Sequence, residues 1–415
     1  MTTVSPSISD LFRVFGRIGL LSFGGPAAQI ALMHKELVDT RGWIKDRDFL
    51  GALSFCMLLP GPEAMQLATY TGWKLRGTLG GLIAGLLFIL PGALVILALS
   101  FLYIWLAEVP LVQAGFVGIK AAVIAIVVQA LWKVSQKALT GRAAWIIAGL
   151  AFLAIYRANV SFVFILLVAG LLGVVVFRET ASGDQKPPAP SGHGLWHIPL
   201  WIGLWSAPLL LVYVIDQTFL LDIGLFFSKL AVVTFGGAYA VLAYMTQTVS
   251  VELGWITTTE MIDALGLAET TPGPLILVTE FVGLLAGFKQ GGVPLMLAAG
   301  ALTLWCTFVP CFLWIFAAAP YLDRVLAQPT LKATLTGISA AVVGVILNLS
   351  LVFALHVLFG AVSQSGLGLR PDIQSFDPVA FGLMCLAGIL LLGLRWPLGW
   401  VLLITTAIAC GAALL

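Results

Sequence analysis

Two short segments place backbone-breaking residues inside otherwise apolar sequence. Phe23-Gly24-Gly25-Pro26 and Pro60-Gly61-Pro62-Glu63 each interrupt a helical pattern, and the second sets an ionisable carboxylate on the break. Proline removes a backbone donor and clashes with the preceding turn, so a helix ends there. The residues after each break start a new helix, and Pro26 and Pro62 suit its first position. The free N–H groups of such a start, at the positive end of the helix dipole, are suited to an oxyanion.

Both breaks recur. Phe23-Gly24-Gly25 reappears as Phe235-Gly236-Gly237, Gly42-Trp43 as Gly254-Trp255, and Pro60-Gly61-Pro62 as Pro272-Gly273-Pro274, all displaced by 212 residues. Arg17 meets Lys229 at the same offset, and Gly118 with Ala121-Ala122-Val123 matches Gly337 with Ala340-Ala341-Val342 at 219. The chain therefore reads as two homologous halves, 1–177 and 220–415. Residues 178–219 join them: a Pro/Gly/Ser-rich polar linker, Arg178 to His197, and one apolar run, 198–215.

The elements that carry these motifs must be membrane helices. Of 415 residues, 60% are hydrophobic and 10% charged, against about 25% charged in soluble domains. Residues 77–107, 158–177, 198–215, 333–369 and 396–415 carry no Asp, Glu, Lys or Arg, and a crossing helix needs about 20 residues. The alternation of a membrane β-barrel is missing. The predicted fold class is an all-α polytopic membrane protein. Arg13 and Arg17 interrupt the first apolar run, which argues against a cleaved signal peptide. The five cysteines have neither metal-ligand nor disulfide spacing, so no metal and no cofactor is expected.

Positive charge sets the topology. If 10–34 and 48–73 are re-entrant hairpins, the basic loops 34–48, 74–77 and 133–142 and the linker all share the side of the N-terminus. The loops 107–112, 216–222 and 246–260, which lack Lys and Arg, fall opposite. This predicts a cytoplasmic N-terminus, four hairpins and about nine crossings. The first half holds 13 Lys/Arg against 7 Asp/Glu, the second 6 against 9, as expected if the second half is inverted. Inverted repeats place a transporter's site at the repeat interface.

Irregular backbone at membrane depth needs a polar cavity or protein cover, so the four breaks are expected to converge on one site. Its predicted substrate-binding residues are Arg17, Ser22, Gly24, Gly25, Gly61, Gln66, Lys229, Gly236, Gly237, Thr271 and Gly273, with Gln29, Thr69 and Thr270 as further lining groups. Pro26, Pro60, Pro62, Pro272 and Pro274 make the breaks. Arg17 and Lys229 approach the FGG breaks from the two halves; the alternative for each is a side chain snorkelling to the interface. Glu63 and Glu269 are candidates for proton coupling, because burial favours a neutral carboxyl, and the alternative for Glu63 is a helix cap. Glu280 also flanks a break, opposite Ala68 at the 212-residue offset. Gln129, Asn348, His34 and His356 are expected between helices or at the interface, and Arg13 at the interface.

These ordered motifs in both halves resemble the bacterial chromate transporter (CHR) family in its long, two-half form, over nearly the whole chain. The resemblance implies export of chromate across the inner membrane and chromate resistance, with sulfate as a similar competitor and short one-half members working as pairs. Expected partners are therefore chromate, sulfate and the bilayer, with a homodimer also admissible and no nucleic acid. The rival readings are a sulfate transporter or exchanger and, more distantly, an intramembrane lipid-phosphate enzyme. The latter would need an arginine and a hydroxyl nucleophile or acid pair just after the break, where Pro62-Glu63-Ala64-Met65 and Pro274-Leu275-Ile276-Leu277 supply neither Arg nor Ser. A nucleotide-driven pump lacks its P-loop.

Overall fold

The computed structural model describes residues 6–106, 108–177, 197–235, 237–326, 328–365 and 368–414. Gly236 and residues 178–196 of the linker lie outside the described residues. The described chain is overwhelmingly helical. In the first half, α1 (Ile8–Leu21), α2 (Gly25–His34), α3 (Asp46–Cys56), α4 (Glu63–Leu106), α5 (Pro110–Ala138), α6 (Arg142–Ala158) and α7 (Phe162–Val176) follow one another. After α8 (His197–Val214), the second half runs through α9 (Thr218–Val233), α10 (Ala238–Met245), α11 (Thr258–Thr270), α12 (Val278–Ala318), α13 (Leu322–Leu326), α14 (Pro329–Leu358), α15 (Pro378–Gly388) and α16 (Leu398–Ala413). A two-stranded hairpin, Val362–Ser365 with Gly368–Pro371, precedes α15. Four stretches are long and apolar enough to cross a bilayer: Glu63–Leu106, Pro110–Ala138, Leu275–Tyr321 and Pro329–Leu358.

The repeat extends to local geometry. α2 and α10 each continue into a π-helical turn, Lys35–Thr40 and Thr246–Glu252. Each turn is closed by the Gly-Trp motif. Gly42 and Gly254 sit in the left-handed region at φ 60° and 64°. The next amide reaches back, Trp43 to the Leu37 carbonyl at 2.9 Å and Trp255 to that of Val249 at 3.0 Å. A glycine at this C-cap position avoids the Cβ penalty, which explains the motif without any ligand.

α4 and α12 are each two helices joined by a sharp bend, at Arg76–Gly77 and at Gly291–Gly292. The arms fold back on each other closely. A Cβ on Gly72 would lie 2.3 Å from the Gly80 carbonyl oxygen, and one on Gly287 2.6 Å from that of Leu295. These pairs obey an offset of 215, not 212. The difference is the single 3-10 turn Leu275–Leu277, inserted between Pro274 and α12. Glu280 therefore faces Met65 in the repeat, which corrects the alignment with Ala68.

The compact units do not follow the halves. One comprises 1–100, 179–238 and 268–332; the other comprises 101–178, 239–267 and 333–415. In the first, α12 packs on α8 and α9. In the second, α5 packs on α15 and α16 around Ala122, Ile126, Leu391 and Val401.

Candidate functional site

In the first unit, two reciprocal hydrogen bonds tie the breaks of one half to those of the other. The Gly61 amide donates to the Thr234 carbonyl at 2.9 Å, and the Gly273 amide to the Ser22 carbonyl at 3.0 Å. Ser22 and Thr234 are repeat mates, as are Gly61 and Gly273, so the two bonds exchange under the repeat. A reciprocal contact of this kind is what a two-fold relation produces. Gly61 and Gly273 take φ of 119° and 89°, conformations that side chains avoid. A Cβ on Gly61 would also meet Gln66 Nε2 at 2.8 Å.

The long helices pass over the opposite break. A Cβ on Gly92 of α4 would lie 2.2 Å from the Pro272 carbonyl, and Cys311 of α12 sits 3.0 Å from the corresponding point on Gly61. The glycine at 92 is therefore a packing requirement. Its repeat mate at offset 215 is Thr307.

Four element starts line one small cavity. Pro26 and Gln29 come from α2, Pro62, Glu63 and Ala64 from the start of α4, Thr234 and Ala238 from the second FGG break, and Pro274, Leu275 and Ile276 from the last start. Neither α2 nor the turn at Leu275 has a side-chain cap. Orphan amides at a helix start are satisfied by caps, water or ligands, so these starts leave donors for a bound group. The cavity encloses about 10 Å³, room for a single water.

Several predicted ligands have other partners. The Gln29 amide donates to the Gly273 carbonyl at 2.6 Å and to that of Ser22 at 3.3 Å, and the Gln66 amide to the Pro60 carbonyl at 2.6 Å. Both glutamines thus hold the breaks in shape, and each buried Oε1 has no hydrogen-bond partner among the described residues. The hydroxyls of Ser22, Thr271 and Thr234 donate to the carbonyls of Ile18, Ala268 and Leu230 on their own helices.

The cations do not reach the cavity. Arg17 is exposed, 61% of its side chain, and pairs with Glu36 at 3.6 Å; Lys229 is exposed as well. Glu36, 6% exposed, also binds Arg41, and this Arg–Glu–Arg cluster was invisible in the motifs. Of the proposed proton carriers, Glu63 lines the cavity and Glu269 is buried outside its lining. Glu280 is 3% exposed, and its Oε2 has no hydrogen-bond partner among the described residues. His34, at the end of α2, pairs with Asp46, the first residue of α3, at 2.7 Å.

The second unit holds a larger cavity of about 640 Å³, lined by Arg157, Asn348 and His356 among others. The same unit contains a buried ionic group that the sequence motifs did not flag. Tyr103 donates to Asp263 Oδ2 at 3.0 Å, and Lys120 Nζ lies 3.7 Å from Oδ1. A signal existed: Lys120 is the single charged residue across 109–132.

The family model described as chromate transporter matches the chain twice, over residues 9–174 and 221–413. The chain is 35% identical to the chromate transport protein of Pseudomonas aeruginosa, over 82% of this chain and 79% of that protein. It is 31% identical to the chromate transport protein of Cupriavidus metallidurans, over 85% of this chain and 84% of the relative. The uncharacterized transporter YwrA of Bacillus subtilis is 27% identical, over 40% of this chain but 95% of its own length. No solved structure matches the chain.

Proposed function

The chain belongs to the chromate transporter family and is a multi-pass membrane protein, and we propose that it is a secondary transporter exporting chromate across the bacterial inner membrane, with its N-terminus in the cytoplasm. The observation that carries this reading is the cavity on which four helix starts converge. A tetrahedral dianion needs several donors arranged around it, and helix starts supply them without a titratable cation. Export confers chromate resistance, and sulfate, a similar tetrahedral dianion, competes. Binding and transport of the anion, not chemical conversion, is the proposed activity.

The site consists of the amides that follow Pro26, Pro62, Gly237 and Pro274, with Gln29 and Gln66 fixing the backbone. In this conformation the cavity takes one water, and a dianion displaces several times that volume. Loading therefore requires the starts to part. The ties across the repeat are two neutral hydrogen bonds, each contributing about 1 kcal/mol, a small cost beside the binding energy of a desolvated dianion. Glu63 stands at the rim as a proton-coupling carboxylate.

The reciprocal bonds Gly61–Thr234 and Gly273–Ser22 support an inverted repeat. The short arm α3, 11 residues ending before Pro60-Gly61-Pro62, supports a re-entrant segment, because its length of about 17 Å is half a bilayer. Chromate flux in everted vesicles, with and without sulfate, is the test. Saturable chromate uptake inhibited by sulfate is expected; saturable sulfate uptake with no chromate uptake would make the protein a sulfate carrier.

A further inference from the structure

Ionisable side chains within membrane segments are costly to bury and mark ion pathways by default. Asp263 is 3% exposed and lies on α11. Its two oxygens are treated differently. Oδ2 accepts the Tyr103 hydroxyl at 3.0 Å from α4. Oδ1 has no hydrogen-bond partner among the described residues, and Lys120 Nζ of α5 stands 3.7 Å away, an ion pair without a hydrogen bond. The titratable groups that face Asp263 are Tyr103, Lys120 and, one turn before it on α11, Glu260. Glu260 is already bonded to the amide and hydroxyl of Thr257. Phe116 packs edge-on against the Tyr103 ring, closing the other side.

A structural strut would bring the ammonium and carboxylate into direct contact, since a buried pair offsets its desolvation only with good geometry. Here one carboxylate oxygen is left open beside a cation whose side chain is 20% exposed. The group has no repeat mate. Gly51, Ser339 and Ala318 stand where the repeat would put Asp263, Lys120 and Tyr103. An asymmetric charged group is what a directional step requires, whereas the symmetric breaks serve both sides alike. Asp263 also lies just inside α11, which the chain enters from the loop 246–260, the side opposite the basic loops. Six residues further on come Glu269 and the Pro272-Gly273-Pro274 break.

We propose that Asp263, with Lys120 and Tyr103, is a proton-binding site that couples transport to the pH gradient. With Asp263 ionised and paired to Lys120, the carrier takes the dianion from the cytoplasm and releases it outside. A proton from the outer side then goes onto Oδ1 and neutralises the carboxylate, and the anion-free carrier returns. Loss of the proton to the cytoplasm re-forms the pair, so proton and dianion cross in opposite directions. The assignment rests on the reading of the chain as an oxyanion exporter.

Initial chromate uptake into everted vesicles, with the lumen acidified or not, tests it in the full-length protein. The gradient should raise wild-type flux about fivefold or more, the lower end of ordinary coupling energies. In Asp263→Asn the ratio should fall to about one, and in the double variant Asp263→Asn with Lys120→Met likewise. A wild-type response in either variant would reduce the pair to a strut. Tyr103→Phe keeps both charges and removes one bond to the ionised carboxylate. It should move the midpoint of the pH profile upward by roughly half a unit, the loss of one ordinary hydrogen bond; an unmoved midpoint overturns the proposal even if the Asn variant fails to accumulate. Wild-type flux without any gradient response overturns the coupling site and leaves the transport reading standing, whereas no chromate flux at all removes the transport reading.

Discussion

At residue 62 the first half passes directly from Pro60-Gly61-Pro62 into α4, whereas the second half inserts the turn Leu275–Leu277 between Pro274 and α12. The same motif therefore meets its neighbours one turn out of register. In the first half a glutamate opens the new helix; in the second, Val278 opens it and Leu275 of the inserted turn lines the cavity. The long helices differ in the same sense, with Gly92 in α4 touching backbone and Thr307 in α12 bonding weakly to Thr279 at 3.5 Å. The halves thus share the breaks and a cation before each FGG break, and differ in the carboxylates around them.

The sharpest way to break this comparison is at its mates Gly92 and Thr307. Gly92→Ala forces a Cβ to 2.2 Å from the Pro272 carbonyl, and overpacking against backbone costs about 3 kcal/mol, the upper end of its usual range. Thr307→Ala removes a long hydrogen bond and costs about 1 kcal/mol or less. Thermal unfolding in detergent should therefore drop strongly for the first variant and barely for the second. Equal drops would show that the halves pack alike.

Gln29 gives the next largest contrast, because Val241 occupies its place in the second half. Gln29→Leu strips two carbonyls of a donor and should cost about 1–3 kcal/mol, with a raised KM for chromate as the break relaxes. Arg17 comes third. Exposed and paired with Glu36, it should tolerate Gln with chromate flux within about threefold of wild type, the scale of one surface ion pair. Complete loss of flux would return Arg17 to the site.

The smallest effect concerns His34, which has no counterpart cation in the second half, where Thr246 stands at its position. The hydrogen bond to Asp46 raises the His34 pKa above the usual 6.5, aided by Asp39. A raised folded-state pKa gives stability that is complete below the unfolded value and lost as pH rises through the folded one. His34→Ala should therefore lower the melting temperature slightly at pH 6 and leave it unchanged at pH 9. A loss that is equal at both would place the effect in packing against Phe49, whose ring the imidazole meets edge-on at 5.2 Å.

The breaks could be read from Gly and Pro positions, because broken backbone is a local property and its repetition fixes which breaks correspond. The Gly-Trp pair was legible as a repeat marker, but its role in closing a π turn needed coordinates. Side-chain partners were not legible in the motifs: the Pro60 carbonyl takes the Gln66 amide, and Glu36 pairs with Arg17. Glu280 was matched to Ala68 because three residues of 3-10 helix leave no mark in composition. Asp263 and Lys120 are 143 positions apart in the chain and lack repeat mates, so neither spacing nor symmetry could pair them.

The reciprocal bonds also set a schedule for biogenesis. Ser22 receives its donor from Gly273, and Gly61 waits for the Thr234 carbonyl. At about 5–20 residues per second, the first break stands open for roughly 10–50 s after its synthesis. During that interval the Ser22 carbonyl has the Gln29 amide at 3.3 Å but lacks its Gly273 donor, and the insertion machinery or water must supply the second bond. A ribosome stalled before residue 273 should hold a first half whose break is still accessible to aqueous labels, so maturation of this transporter is timed by the arrival of its second Pro-Gly-Pro.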